Sequence, residues 1–344
     1  MLIKKILFLF FFFCVFVSAT DNRVFSEEVE QRYSQEDFEN WLEDFKKYAL
    51  TQGIKQEILD EAFKDAKFDH KIIELDKKQP EHKKTFLEYY SDAITKNRIE
   101  GGRKQIAKYN HILKKAEEKY GVSKYIIVAF WDLETHFGKA IGKRNILVSL
   151  ANMGYDNRRR AFFIKELINA LKIVQAGHVK IKDFKGSWAG AFGNFQFMPS
   201  TFLGYAVDGD GDKKIDLYNN PYDAIFSAGN FLKKIGWKKD LKWGIPIYFD
   251  KNNQELLDLL QSREWVNRDV FVKAGVKTLN KKPLKRSAKK IKAKLVAPMG
   301  LEGPIFLVYD NYNVIMGWNR ATSYALNVGL ISDAYQDGKI LFKK

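Results

Sequence analysis

The 344-residue chain has a single cysteine, Cys14, which lies in an apolar N-terminal run from Ile6 to Val17. This run follows two lysines and ends in small residues, so we expect residues 1–19 to be a signal peptide that is cleaved after Ala19. The mature chain then has no cysteine, which excludes a disulfide-stapled scaffold and a thiol nucleophile. An uncleaved anchor is the alternative, but about a dozen apolar residues are few for a membrane span.

The sequence also lacks the motifs of several common hydrolases. It has no G-x-S-x-G nucleophile elbow, no H-E-x-x-H zinc motif and only five histidines. Acidic residues are outnumbered, 42 against 58 basic ones, and the net charge is +16. We therefore expect an anionic partner. Export argues against nucleic acid and leaves an anionic membrane surface or a cell-wall polymer.

Hydrophobic residues make up 46% of the chain and aromatic residues 15%, which excludes a disordered protein. Apolar periodicity and capping residues predict a basic helical domain over 25–120 and three further helices. From 244 to 304 the pattern favours a small basic α+β or β-rich insertion, with β-favouring runs at 247–249 and 270–272. The last segment predicts a strand or turn before a helix from Thr322. The three further helices are expected from Ser123 to near Gly138, over 160–174 and over 221–236.

Glu134 stands in the apolar stripe of a strongly hydrophobic predicted helix. Helical periodicity places it on one face with Ile127, Phe130, Trp131 and Phe137. Burial disfavours a charged carboxylate and raises its pKa toward neutrality, as a general acid requires. A structural ion pair would explain a buried glutamate equally well. Asp132 and His136, two residues away on either side, should point elsewhere.

Residues 186–200 (G-S-W-A-G-A-F-G-N-F-Q-F-M-P-S) combine glycines with aromatic and amide side chains. Flat aromatic rings bind sugars by stacking, and a few polar groups fix a ligand's orientation. The segment is therefore compatible with a carbohydrate site, although aromatic residues beside glycines often only pack. The aromatic residues are Trp188, Phe192, Phe195 and Phe197, and the polar ones are Ser187, Asn194 and Gln196.

An acidic loop, D-G-D-G-D-K-K-I-D, covers residues 208–216. Its carboxylates at alternate positions match the first ligands of an EF-hand calcium loop. Lys213 takes the place of the usual glycine, and position 12 is Asn219 instead of glutamate. Because neighbouring carboxylates repel one another without a cation, we favour calcium over a solvated acidic turn.

Four ordered motifs together resemble the lytic murein transglycosylase B family of bacterial cell-wall enzymes. They are E-T-H-F-G around Glu134, the 186–200 segment, the acidic loop running into N-P-Y-D-A-I, and N-Y-N-V-I-M-G-W-N-R-A-T-S-Y-A (311–325). The resemblance implies an α+β, mainly α fold. A lysozyme-like core (121–243 with 305–344) would be flanked by the helical domain and by a small β-rich inserted domain (244–304).

The resemblance also implies roles for individual residues. Glu134 matches the family's catalytic acid/base, and the acidic loop matches its calcium site. Calcium would be a structural ion, and the chemistry would need no cofactor. The implied substrate-binding residues are Ser187, Gln196, Tyr312, Trp318, Asn319 and Tyr324. The implied calcium ligands are Asp208, Asp210, Asp212, the backbone carbonyl of Lys214, and Asp223.

The implied activity is cleavage of the bond between N-acetylmuramic acid (NAM) and N-acetylglucosamine (NAG) in peptidoglycan, with formation of a 1,6-anhydro product. A muramidase that uses Glu134 with water and a non-catalytic peptidoglycan-binding protein remain alternatives. No lipid-anchor cysteine is present, so we expect a soluble form in the periplasm. We also expect a monomer. Glycan strands are the expected partner, and cell-wall synthesis proteins and peripheral membrane contact stay open.

Overall fold

The computed structural model describes residues 33–77, 84–288 and 290–342. The predicted signal peptide, residues 1–19, lies outside the described residues. Within them the chain forms fifteen α-helices and eight short β-strands. None of the helices in these ranges is both long and apolar enough to cross a membrane.

Six helices, α1 to α6, precede the helix that carries Glu134. Helix α1 begins after Ser34, whose side chain accepts the backbone N–H of Asp37, and it buries Phe38, Leu42 and Phe45. Helix α6 ends at Tyr120 and is followed by Gly121, whose left-handed φ of 70° closes the helix. The bounds are α1 Gln35–Thr51, α2 Gln56–Phe63, α3 His70–Lys77, α4 Phe86–Ala93, α5 Lys96–Lys108 and α6 Asn110–Tyr120.

The central region is also helical. Ser123 caps its first helix, as predicted, and the helices over 160–174 and 221–236 are confirmed to within two residues. A short antiparallel pair, β1 with β2, fixes the start of the glycine-rich segment. The elements are α7 Lys124–Thr135, β1 Arg144–Asn145, α8 Ile146–Tyr155, α9 Arg160–Gln175, β2 Lys185–Gly186, α10 Pro199–Tyr205 and α11 Pro221–Lys234.

The following region forms a five-stranded antiparallel sheet in the order β4-β6-β8-β3-β5. Its buried side chains make a hydrophobic core of their own. The β-favouring run at 270–272 lies in a helix, because Asn267 caps it by accepting the backbone N–H of Asp269. The elements are β3 Gly244–Tyr248, α12 Gln254–Ser262, β4 Val266–Asn267, α13 Arg268–Lys273, β5 Lys277–Thr278, β6 Lys292–Val296, β7 Pro298–Leu301 and β8 Ile305–Tyr309.

Two helices, α14 (Asp310–Trp318) and α15 (Thr322–Asp337), complete the fold. The helix from Thr322 is confirmed, whereas α14 was not predicted. Helix α15 packs against α7 and α14. Buried residues from α1 through α15 form one continuous hydrophobic core. The proposed domain boundaries at 120, 243 and 304 remain a prediction, and the sheet includes β8 beyond the last of them.

Candidate active site

Glu134 is the penultimate residue of α7. The helix ends at Thr135 because His136 and Phe137 take left-handed conformations, with φ of 49° and 61°. The predicted end near Gly138 was therefore too late. Phe137 lies in the turn, and its expected place on the helical face of Glu134 was wrong. Phe130, one turn before Glu134, is fully buried as expected.

Two donors from the C-terminal helices hold one carboxyl oxygen of Glu134. The indole Nε1 of Trp318 donates to Oε1 at 3.0 Å. The hydroxyl of Tyr324 donates to the same oxygen. No hydrogen bond to the second oxygen, Oε2, is formed by any residue that the structure describes. The carboxyl group is thus fixed through one oxygen, and the other is available to a ligand.

Burial raises the pKa of Glu134 to about 7, although the hydrogen bonds from Tyr324 and Trp318 act in the opposite direction. A carboxyl group with this pKa is partly protonated at neutral pH and can both donate and accept a proton. Burial also raises the pKa of Tyr324 well above its ordinary value, and Glu134 raises it further. Tyr324 therefore stays protonated and keeps donating to Oε1.

Packed aromatic rings set the position of Trp318. Its ring centroid lies 4.4 Å from that of Phe130, 4.9 Å from that of Phe231 and 5.6 Å from that of Phe197. These contacts come from α7, α11 and the glycine-rich segment. Three separate parts of the chain thus determine where the indole N–H points.

The three phenylalanines of the glycine-rich segment do not provide a sugar-stacking surface. Phe192, Phe195 and Phe197 are each at most 2% exposed and belong to the core. The segment folds back on itself, with an antiparallel bridge between Phe192 and Phe197, and this turns the rings inward. Of its four predicted aromatic residues, Trp188 alone is half-buried and not fully buried.

Asn194 was expected to be a polar group in a ligand cleft, but it is buried and joins three segments. Its Oδ1 accepts the indole N–H of Trp131 at 2.7 Å. Its Nδ2 donates to the carbonyls of Leu217 and Tyr218, and its carbonyl accepts the hydroxyl of Thr135. In the sequence, Asn194 stands out as a single amide among apolar residues. That pattern does not reveal which groups the amide hydrogen-bonds to.

The other predicted substrate-binding residues differ in their placement. Half-buried Gln196 has a left-handed φ of 49° and donates to the carbonyls of Ile141 and Gly193. Ser187 accepts the backbone N–H of Ala191, and Asn319 accepts that of Ala321. Tyr312 is 3% exposed and lines a cavity that does not include Glu134. Trp318 and Tyr324 thus form hydrogen bonds to Glu134, whereas Tyr312 forms none to it in the described part of the chain.

Asp132 points away from Glu134, as expected, into a buried polar cluster behind the helix. Arg98 forms an ion pair with its carboxylate at 2.9 Å, and the hydroxyl of Tyr335 donates to it at 2.7 Å. His136 lies 3.0 Å from the same carboxylate. This cluster ties the end of α7 to α5 and α15 and leaves Glu134 as the carboxyl group that contacts Trp318 and Tyr324.

The acidic loop gathers three of its predicted ligands. Carboxylate oxygens of Asp208, Asp210 and Asp212 lie within 4.8 Å of one another. None of the three forms an ion pair with a lysine or arginine in the described ranges. Three closely spaced carboxylates without a counter-ion fit a hard divalent cation. Lys213 adopts a left-handed φ of 69° where an EF-hand loop has glycine.

Asp223 occupies a different position from the other three carboxylates. It is fully buried, and its two oxygens accept the backbone N–H groups of Gly209 and Asp216, each at 2.7 Å. The backbone N–H of Lys214 donates to Asp212 at 2.8 Å. In this structure Asp223 stabilises the loop backbone through hydrogen bonds. Its role as a metal ligand remains a prediction.

Comparisons with known proteins identify the family of this chain. The model of the family described as Transglycosylase SLT domain matches residues 37–333. Membrane-bound lytic murein transglycosylase B of Escherichia coli (strain K12) is 39% identical over 155 residues, or 45% of this chain. The aligned region spans only 43% of that relative.

Solved structures match over most of the chain. SltB3 from Pseudomonas aeruginosa in complex with NAG-NAM-pentapeptide has a TM-score of 0.84 at 35% identity, covering 88% of this chain and 81% of that one. The Escherichia coli lytic transglycosylase Slt35 in complex with calcium has a TM-score of 0.73 at 27% identity. The match covers 89% of this chain and 94% of that one. The expected mainly helical, lysozyme-like fold is confirmed. Since the family model spans most of the sequence, this chain belongs to the SLT-domain transglycosylase family.

Proposed function

We propose that this chain is a peptidoglycan lytic transglycosylase that cleaves the β-1,4 bond between NAM and NAG, with Glu134 acting first as acid and then as base. The main supporting observation is the carboxyl group of Glu134, with its pKa near 7, one oxygen held by two donors and the other free. In glycosidases that use two catalytic carboxylates, the second carboxylate lies within about 10 Å of the first. Asp132, the nearest acidic residue in sequence, is engaged by Arg98 and Tyr335.

In the first step, protonated Glu134 donates its proton to the glycosidic oxygen, and the bond from that oxygen to C1 of NAM breaks. The donors Trp318 and Tyr324 stabilise the carboxylate that this leaves. The acetamido group of NAM can stabilise the positive charge at C1, as in substrate-assisted glycosidases. In the second step, Glu134 accepts the proton of the NAM 6-hydroxyl while O6 bonds to C1. The product is the 1,6-anhydro sugar, and no water is consumed.

The relatives support the choice of substrate. SltB3 was solved with NAG-NAM-pentapeptide and also with NAG-anhNAM-pentapeptide. A net charge of +16 suits a polymer that carries carboxylates. Ser187, Gln196 and Asn319 are the proposed hydrogen-bonding partners of the sugar hydroxyl and acetamido groups. Gln196 is suited to this because its two side-chain donor contacts leave its carbonyl oxygen without a protein partner among the described residues.

A structural calcium ion is part of the proposal. Asp208, Asp210 and Asp212 would hold it, and Slt35 was solved with calcium. The ion would neutralise the acidic loop close to Asn194, which bonds to the carbonyls of Leu217 and Tyr218 at the end of the loop. Export to the periplasm likewise remains a proposal.

The test is mass spectrometry of soluble products from purified sacculi treated with the mature protein, with Glu134→Gln and with Glu264→Gln. Glu264 is an exposed control. Products ending in anhydromuramic acid with wild type and Glu264→Gln, but not with Glu134→Gln, are the expected result. Reducing ends would reassign the chain to hydrolysis by a muramidase. Failure of folded wild-type protein to release any product would favour the binding protein.

A further inference from the structure

A cavity of about 700 Å³ lies beside the inserted sheet region and helices α14 and α15. The insertion contributes Arg263 at the end of α12 and Lys294 on β6. The two helices contribute Asn313, Thr322 and Ser323. Glu134 is not among the residues that line it. Its volume is in the range of ligand sites.

Two basic groups of this cavity have no acidic partner. In the part of the chain that the structure describes, neither Arg263 nor Lys294 forms an ion pair. Lys294 is half-buried, and its Nζ lies 5.1 Å from the ring centroid of Trp265. Burial and the positive charge of Arg263 both lower the pKa of Lys294. The two charges are therefore close enough to repel each other, and an anion between them would relieve the repulsion.

Arg268, in the same region, differs from Arg263 and Lys294 because its guanidinium group has partners within the protein. It donates to the carbonyl of Lys285 at 2.7 Å and to the hydroxyl of Tyr309 at 3.3 Å. It also lies 3.9 Å from the carboxylate of Asp269. Arg268 is thus occupied by protein partners, whereas Arg263 projects from a left-handed helix end with φ of 54° and remains exposed.

The cavity and the acid/base site share the corner between α14 and α15. Ser323 on the cavity side directly precedes Tyr324, which donates to Glu134. Met316 on the cavity side belongs to α14, the helix that ends with Trp318, the second donor. The same two helices thus form part of both places, and a ligand that crosses their junction would contact both.

We propose that this cavity binds the peptide attached to NAM, with Arg263 and Lys294 holding one of its carboxylates. The inference rests on the proposed function, since peptidoglycan offers a sugar chain and an anionic peptide on the same molecule. Carboxylate is the chemistry that an unpaired guanidinium beside an ammonium group recognises. The cavity would thus give the enzyme a preference for glycan that still carries its peptides.

The test compares kcat/KM of the mature protein on glycan strands bearing pentapeptides and on the same strands after amidase has removed the peptides. The variant is Arg263→Gln/Lys294→Gln. Its matched control is Lys273→Gln/Lys282→Gln, which removes the same charge from exposed positions of the insertion outside the cavity. Loss of a charged hydrogen-bonding pair predicts a fall of about tenfold on peptide-bearing strands. We expect less than twofold change on bare strands and in the control.

An equal loss on both substrates, an equal loss in the control, or no loss at all would overturn the proposal. If wild type cleaves neither substrate, the proposed function fails, and the cavity is tested separately. Isothermal titration of free pentapeptide into Glu134→Gln should then show binding that is about tenfold weaker for the carboxyl-amidated peptide and in the added Arg263→Gln/Lys294→Gln background. Absence of such binding contradicts the peptide site.

Discussion

Replacing Glu134 with glutamine should abolish activity and yet make the protein relatively more stable as the pH rises. Glutamine keeps the shape of the side chain and a carbonyl oxygen for Trp318 and Tyr324, but it does not ionise. In wild type, the pKa of Glu134 rises from its ordinary value of 4.5 in the unfolded chain to about 7 in the folded protein. Between these values the folded state binds more protons than the unfolded state, so wild-type stability falls as the pH increases.

The size of this change in stability follows from the pKa shift of Glu134. At ~1.36 kcal/mol per pKa unit, ionisation in the folded state costs wild type about 3 kcal/mol once the pH exceeds about 8. Most of this loss falls between pH 5 and pH 8. The difference in unfolding free energy between Glu134→Gln and wild type should therefore move by about 2–3 kcal/mol in favour of the variant over that range.

Urea denaturation of both proteins at pH 5, 6, 7 and 8 measures this difference. Glu264→Gln, at an exposed position, provides the control and should follow wild type at every pH. Parallel stability curves for Glu134→Gln and wild type would refute the reasoning, because they would show that Glu134 titrates alike in the folded and unfolded states.

Three further predictions follow from the site. Tyr324→Phe removes a hydrogen bond that lowers the pKa of Glu134, so the alkaline limb of the pH–rate profile should move up by about one pH unit; an unmoved limb would contradict this role. Asn194→Ala leaves the indole N–H of Trp131 unsatisfied and should cost about 2–4 kcal/mol in urea denaturation; a loss below about 1 kcal/mol would show that water replaces the amide. Asp210→Asn should weaken calcium binding about tenfold or more in calorimetry; equal affinity would place the ion elsewhere or nowhere.

Local patterns predicted much of the secondary structure. Ser123 was identifiable as an N-cap, and the helix from Thr322 followed from its apolar residues. Helix α14 was missed because residues 310–318 contain aromatic and β-branched side chains that fit a strand equally well. The end of α7 was missed because left-handed conformations at His136 and Phe137 carry no composition signal, glycine being the residue that usually marks such a turn.

The sequence by itself determined the fold class, through four ordered motifs that resemble a known family. It also made Glu134 a candidate acid/base, because a carboxylate in an apolar helical stripe is visible in the order of residues. It also indicated the acidic loop, whose carboxylates are neighbours along the chain. The tertiary structure alone decided that Trp318 and Tyr324 donate to the same oxygen of Glu134 from 184 and 190 residues away. It alone decided that the phenylalanines of the glycine-rich segment are buried. Such pairings depend on how distant helices pack, and sequence periodicity describes only which face of each helix is apolar.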